Sequence, residues 1–102
     1  MTLAELTELM HRFVNEKGWY AGDSIHPQTP RNLSASLAIE SAEVLEFFQW
    51  SETLQEADKS ALAAELADVG LYLLQLASIT GIDLERAIIE KLHLNQTRTW
   101  DK

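Results

Sequence analysis

Apolar side chains recur at intervals of three and four residues along most of the chain, which is the spacing of amphipathic α-helices. Gly and Pro interrupt this pattern at only a few places. Four helices are predicted, at residues 3–16, 30–49, 54–78 and 84–97. No segment has convincing strand character. The pattern predicts an all-α bundle of four helices with short outer connections and one long inner connection.

Residues that favour helix ends stand at the predicted boundaries. A Thr with Glu three residues later satisfies free amide groups at a helix start, Pro suits a first turn, Gly ends a helix and Asp caps one. The residues in these positions are Thr2 with Glu5, Thr29 with Pro30, Thr53 with Glu56, Gly81 and Asp83. These local signals support all four helices.

The first three helices each carry an apolar stripe that is expected to face the core. The stripes are Leu3, Leu6, Met10, Phe13 and Val14; then Leu33, Leu37, Val44, Phe47 and Phe48; then Leu62, Leu66, Val69, Leu73 and Leu76. Leu71 and Leu74 emerge on the opposite side of the third helix. The short first and fourth helices could not cover both of its sides, so we expect oligomerisation to complete the bundle.

The connection at residues 17–29 is long for so small a domain. Connections of this length are usually functional or disordered. Trp19 and Tyr20 lie within it, and two aromatic side chains favour a packed segment. We expect either a lid or an arm that reaches another subunit.

The composition describes one domain spanning residues 1–102, because 46% of the 102 residues are hydrophobic. A formal charge of -8 without a basic run disfavours nucleic acid as a partner. The absence of cysteine excludes thiolate metal sites and thiol nucleophiles. The acidic N-terminus does not resemble a signal peptide, and no apolar stretch approaches the roughly 20 residues that span a bilayer. We therefore expect a cytoplasmic protein without a membrane partner.

Two pairs of acids, each pair three residues apart, lie on neighbouring predicted helices. Glu40 falls inside the apolar face of the second helix, and Glu43 flanks it. Glu65 and Asp68 lie at the edge of the apolar face of the third helix. Four semi-buried carboxylates repel one another and take up protons unless cations neutralise them.

A hard divalent metal ion is one way to neutralise these acids. Mg²⁺ binds through a few carboxylates, keeps water ligands and takes further ligands from phosphates, so the pattern indicates phosphate chemistry. The alternative is a set of salt bridges inside the bundle. The basic residues considered for it are Arg31, Arg86, Lys91 and Arg98.

A di-iron carboxylate site is a weaker competitor. Such bundles use two Glu-x-x-His motifs, and only Glu90 with His93 fits that spacing here. Neither acidic pair contains a histidine, so redox iron is disfavoured and the Glu90/His93 pair is expected at the surface.

The acidic pairs and several further segments resemble a known family. The further segments are residues 13–19, His26-Pro27 with residues 30–33, residues 46–50, and Lys91 with Asn95 and Arg98. Together they are similar to the all-α nucleoside triphosphate pyrophosphohydrolases of the MazG-like superfamily, and most similar to the dCTP pyrophosphatase branch. The resemblance extends from His11 to about Trp100.

The resemblance implies hydrolysis of a (deoxy)nucleoside triphosphate, dCTP or a modified dCTP, to monophosphate and pyrophosphate in nucleotide-pool cleaning. It implies Mg²⁺, with Mn²⁺ as a substitute, on Glu40, Glu43, Glu65 and Asp68. It also implies a homodimer or homotetramer, with the tetramer favoured. The remaining residues implied at the site are His11, Trp19 and Trp50 at the base, Tyr72 at the sugar, and Lys91 and Asn95 near the phosphates or sugar.

Two alternatives stay open from the sequence. The same chemistry could act on another or a damaged nucleotide. A non-catalytic helical dimerisation module could instead have inherited the acidic pairs, although such a module would have little reason to place Glu40 in its apolar stripe.

Overall fold

The computed structural model describes residues 1–99, and this part of the chain is helical without any strand. The end of the family resemblance at Trp100 lies outside the described residues. The predicted all-α class and its four helices are confirmed. The helices are α1 (Leu3–Glu16), α2 (Pro30–Glu46), α3 (Lys59–Ile79) and α4 (Leu84–Thr97), with a 3₁₀ turn at Glu56–Asp58 before α3.

Three of the predicted helix starts have the expected capping hydrogen bonds. At α1 the Thr2 hydroxyl accepts from the Glu5 backbone N–H, and the Glu5 carboxylate accepts from the Thr2 N–H, both at 3.1 Å. The side chains of Thr29 and Asp83 accept from the backbone N–H three residues on, at the starts of α2 and α4. Each such cap satisfies an amide that the helix itself leaves without a partner.

The connection between α2 and α3 differs from the prediction. The expected extension of α2 to residue 49 is wrong, because the backbone N–H groups of Phe47, Phe48 and Gln49 bind carbonyls three residues back instead of four. This tighter turn ends the α-helix at Glu46.

The expected start of α3 at residue 54, capped by Thr53 with Glu56, is also wrong. The Thr53 backbone N–H donates to Ser51 Oγ at 3.3 Å, and Thr53 lies in the turn that precedes the 3₁₀ segment. The chain then makes the 3₁₀ turn, and α3 begins at Lys59. Its end at Ile79 is one residue beyond the prediction, and Gly81 follows in the left-handed conformation that such helix ends favour.

α3 is the central element of the fold. α2 and α1 both pack against it, whereas α4 makes few contacts with it and contains no buried residue. α2 and α3 run antiparallel, because Glu40 and Glu43 meet Glu65 while the start of α2 shares a cavity with the C-terminal half of α3.

The face of α3 that the chain buries is not the predicted stripe. Leu66 and Leu73 are 53% and 41% exposed, while Leu74, Gln75 and Ala77 are buried. The expectation that Leu74 emerges on an uncovered side is therefore wrong, although Leu71 is exposed as expected. α3 is apolar on nearly every side, so its hydrophobic periodicity does not determine which side faces α1 and α2.

Among the described residues 1–99, one stretch, Glu56–Ile79, is long and apolar enough to cross a membrane by length and composition, with a mean hydropathy of 1.4 in its 18-residue window. The expectation that no stretch approaches this length is wrong by that measure. A single stretch of this kind is weak evidence, because core helices that do not span membranes share it. Here Glu65 and Asp68 lie within the stretch, and α1 and α2 pack along it.

Two glycine-to-alanine variants test the backbone conformation within α3 and at its end. At Gly81, φ is +76° and an added Cβ meets no atom within 4 Å, so Gly81→Ala is expected to cost about 1 kcal/mol of stability through backbone strain alone. At Gly70, inside α3, the added Cβ also meets no atom, and Gly70→Ala is expected to stabilise by about 0.5–1 kcal/mol. Thermal unfolding of both variants checks the opposite signs. A destabilised Gly70→Ala would mean that another chain packs closely there.

Candidate active site

Three glutamates from α2 and α3 form a compact acidic cluster. Carboxylate oxygens of Glu40, Glu43 and Glu65 lie within 4.8 Å of one another, and all three residues are half-buried. Glu40 and Glu43 are three residues apart and share one face of α2, which packs directly on α3. The pairing of these two helices therefore brings the three acids together.

Two oxygens in this acidic cluster are buried without a partner. Glu40 Oε2 and Glu65 Oε2 are buried, and no hydrogen-bonding group within residues 1–99 satisfies them. A buried carboxylate oxygen without a donor is costly. Arg86, one of the bases considered as a partner for the acids, instead pairs with Glu90 on α4 at 2.9 Å.

The acids shift one another's protonation. A hydrogen bond with Glu65 is the main cause that raises the pKa of Glu43, and a hydrogen bond with Glu40 is the main cause that raises the pKa of Glu65. Like charges this close favour a shared proton or a bound cation. The potential metal ligands in the cluster are all carboxylate oxygens. The cluster therefore suits a hard divalent ion, and it lacks the imidazoles of a di-iron site.

Asp68, the fourth predicted acid, is close to the acidic cluster but not part of it. It lies one turn after Glu65 on α3, and its negative charge contributes to the raised pKa of Glu65. Asp68 lines a neighbouring cavity of about 560 Å³. Asp68 therefore lies between the acidic cluster and a cavity that is large enough for a small molecule.

The wall of this cavity comes from the end of α1, the 17–29 segment, the start of α2 and the C-terminal half of α3. Its aromatic and apolar lining includes Phe13, Trp19, Ile25, Leu33 and Leu71. The 17–29 segment is therefore packed, as its aromatic residues predicted, and it packs on α3 of its own chain. Trp19 and Tyr72, both predicted at the site, line the cavity.

The other predicted contacts lie elsewhere in the single chain. His11 does not line the cavity: its Nδ1 pairs with the Tyr20 hydroxyl and its Nε2 with Ser78 Oγ at 2.7 Å. Trp50 is 90% exposed in the turn after α2, which excludes a role in the core of this chain. Lys91 and Asn95 lie on α4, outside the cavity wall.

Two glutamines that the sequence did not single out complete the cavity. Gln75 Nε2 donates to the Tyr20 hydroxyl at 3.2 Å and to Gln28 Oε1 at 2.8 Å. Burial raises the pKa of Tyr20. The sequence offered one signal for Gln75: it is a polar residue within the apolar run Leu73–Ala77. It also stands seven residues after Asp68, and hence on the same face of α3.

Comparisons with known proteins identify the family and the fold. The family model of the MazG-like family matches residues 35–101, which contain all four predicted acids. Over 95% of its length the chain is 36% identical to dCTP pyrophosphatase 1 of Rattus norvegicus, and over the same share it is 33% identical to that of Homo sapiens. The chain spans 58% of the length of each of these relatives.

A solved structure gives the same result for the fold. A crystal structure of a pyrophosphatase from Archaeoglobus fulgidus superposes with a TM-score of 0.78 at 33% sequence identity. The match covers 91% of this chain and 87% of that one. The helical architecture, the acids paired across α2 and α3, and matches along most of the sequence lead to one assignment: the chain belongs to the MazG-like family.

Proposed function

We propose that this chain hydrolyses a nucleoside triphosphate to the monophosphate and pyrophosphate, with dCTP or a modified dCTP as substrate. The observation that carries the proposal is the pair of buried, unpartnered oxygens on Glu40 and Glu65 beside a cavity of about 560 Å³. Relatives named dCTP pyrophosphatase support the choice of substrate. Nucleotide-pool cleaning in the cytoplasm is the role that we propose for it.

The acidic cluster fits Mg²⁺, with Mn²⁺ as a substitute. Glu40, Glu43 and Glu65 would hold the ion. We propose Asp68 as the fourth acid, because its charge already acts on Glu65. When bound, the ion neutralises the leaving pyrophosphate and polarises the phosphoryl oxygens. The unpartnered oxygens of the cluster are the groups that a cation would satisfy.

The chain's own residues hold the substrate and accept a proton. The apolar and aromatic wall around Trp19 suits a base, and Asp68 marks the end where the phosphates would lie. Water attacks the α-phosphorus, and the bond from this phosphorus to the oxygen shared with the β-phosphorus breaks. The electron pair leaves with pyrophosphate, and a carboxylate that is not fully committed to metal takes the proton from the water.

We further propose that the site is completed by self-association. The chain exposes 7996 Å², whereas a compact monomer of its mass exposes about 5,800 Å². Large apolar side chains on α3 and α4 contribute to this exposed surface. The large apolar side chains exposed there are Leu66, Leu71, Leu73, Ile88, Ile89, Leu92 and Leu94.

Self-association could bring the predicted site residues that lie outside the cavity to the cavity of another subunit. Trp50 is almost fully exposed, and Lys91 and Asn95 belong to the helix that packs least on its own chain. We propose that Trp50 and His11 contact the base and that Lys91 and Asn95 approach the phosphates or sugar within a homodimer or, preferably, a homotetramer.

The first test measures pyrophosphate released from canonical and modified (deoxy)nucleoside triphosphates. With Mg²⁺ we expect equal amounts of monophosphate and pyrophosphate, with dCTP or a modified dCTP among the best substrates, and no release with excess EDTA. Restoring activity by adding Mg²⁺ or Mn²⁺ back controls for damage by the chelator. A ranking led by another nucleotide would redirect the proposal to that substrate. A folded sample that hydrolyses none would favour the dimerisation module.

Glu43→Gln tests the acidic cluster directly. We expect turnover to fall by more than about 100-fold, because a ligand to the metal loses its charge. The raised pKa values of Glu43 and Glu65 mean that the folded, metal-free protein retains protons that the unfolded chain has released, so stability falls as pH rises through that interval. The metal-free variant should therefore melt above wild type at neutral pH.

The pyrophosphate assay measures the turnover of Glu43→Gln, and thermal unfolding with and without Mg²⁺ measures its stability and its response to the metal. Asp68→Asn should also lose turnover. The matched control is Glu8→Gln, which removes the same charge from the exposed surface of α1. An active Glu43→Gln protein that keeps its Mg²⁺-induced rise in melting temperature would refute the metal assignment.

Sedimentation equilibrium tests self-association at micromolar concentration. We expect four times the 11.5 kDa chain mass, or twice that mass if the dimer is the final state. Leu73→Glu places a charge on the exposed side of α3 and should lower the mass, whereas Ser60→Glu, at an exposed polar position on the same helix, should not. A monomeric wild-type chain would contradict the proposal.

A further inference from the structure

The cavity has a polar floor made by one buried side chain. Gln75 lines the cavity and is only 3% exposed, and Met10, Val14 and Leu33 around it are apolar. An amide in such surroundings is costly unless its hydrogen-bonding groups are satisfied. The way in which Gln75 is satisfied determines which atom remains for a ligand.

The orientation of the Gln75 amide follows from its neighbours. Gln28 Nε2 donates to the His26 backbone carbonyl oxygen at 2.6 Å, and a carbonyl can only accept. Gln28 must therefore turn its own Oε1 towards Gln75, which donates to it through Nε2 at 2.8 Å. The second N–H of the Gln75 amide is committed to the Tyr20 hydroxyl.

The carbonyl oxygen of Gln75 is the atom left for the cavity. Within residues 1–99 the side-chain hydrogen bonds of Gln75 are these two, and both are donated by Nε2, so Oε1 accepts none. Because Gln75 lines the cavity, this oxygen supplies the floor with an acceptor that cannot become a donor while Gln28 and Tyr20 hold the amide.

The position of Gln75 relative to the acids fits the far end of a nucleotide. Asp68, Tyr72 and Gln75 are spaced four and three residues apart, so they follow one face of α3, and all three line the cavity. Gln75 lies about 10 Å along the helix axis from Asp68. A nucleoside monophosphate spans a similar length from its phosphorus to the outer edge of its base.

We propose that Gln75 selects a base that carries an exocyclic amino group over one that carries an oxo group at the same place. The amino group donates to Gln75 Oε1, whereas an oxo group would set two acceptors against each other in a desolvated site. Cytosine and uracil differ in this way at one ring position. The inference rests on the proposed function, because it assumes that the cavity takes a nucleotide base.

The test compares dCTP with dUTP in wild type and in Gln75→Met, which keeps the side-chain length and removes the amide. We expect wild type to favour dCTP in kcat/KM, and we expect the ratio of dCTP to dUTP to fall roughly 10- to 100-fold in the variant. Gln55→Met makes the same change at an exposed position outside the cavity and should leave the ratio unchanged. An unchanged ratio in a folded Gln75→Met protein would overturn the proposal, as would equal use of dCTP and dUTP by wild type.

A second variant covers the case in which Gln75→Met does not fold. Gln28→Met changes a half-buried residue of the 17–29 segment. It removes the acceptor of one Gln75 N–H, so the Gln75 amide can flip and exchange its Oε1 and Nε2. The ratio of dCTP to dUTP should then fall at least severalfold while the helical signal is kept. A purely structural role for the two glutamines would lower the melting temperature without moving the ratio, and that result would overturn the proposal.

Binding of monophosphates separates this inference from the proposed reaction. Calorimetry with dCMP and dUMP requires no hydrolysis, so it remains informative if the chain releases no pyrophosphate. Tighter binding of dCMP by wild type, lost in Gln75→Met, would support the role of Gln75 even if the reaction were different. Equal binding of the two monophosphates, or binding of neither, would overturn it.

Discussion

The repulsion among Glu40, Glu43 and Glu65 is the constraint on which the rest of the structure depends. Three carboxylates meet where α2 packs on α3, and two of their oxygens are buried with no partner among residues 1–99. Packing of the two helices must overcome this repulsion in the metal-free state. The apolar contacts between α2 and α3 hold the acids together, and a bound cation would turn a destabilising cluster into a stabilising one.

Local signals in the sequence predicted much of this arrangement. The Thr2, Thr29 and Asp83 caps and the Gly81 stop act within a few residues, so the helix ends they set were predicted correctly. The meeting of Glu40 and Glu43 with Glu65 could also be predicted, because residues three apart share a helix face. Asp68 lies one turn further along α3 and lines the cavity instead.

The parts that the sequence did not predict depend on tertiary packing. α3 is apolar nearly all round, and only its contacts with α1 and α2 show that Leu74 is buried while Leu73 is exposed. The early end of α2 depends on hydrogen bonds in a tight turn that no residue type enforces. The role of Gln75 depends on partners 47 and 55 residues away along the chain, which no local pattern contains.

The hydrogen bonds between the 17–29 segment and α3 bear on how a ligand would be received. Tyr20 and Gln28 are both tied to Gln75, and His11 of α1 holds Tyr20 from its other side. One wall of the cavity is thus fastened to the helix that carries Glu65. The conformational entropy of ordering that wall is lost when the chain folds and is not lost again when a ligand enters. Because this wall needs no rearrangement, different ligands would enter the pocket at similar association rates. Selectivity of such a pre-organised pocket would then arise mainly from differences in dissociation rate.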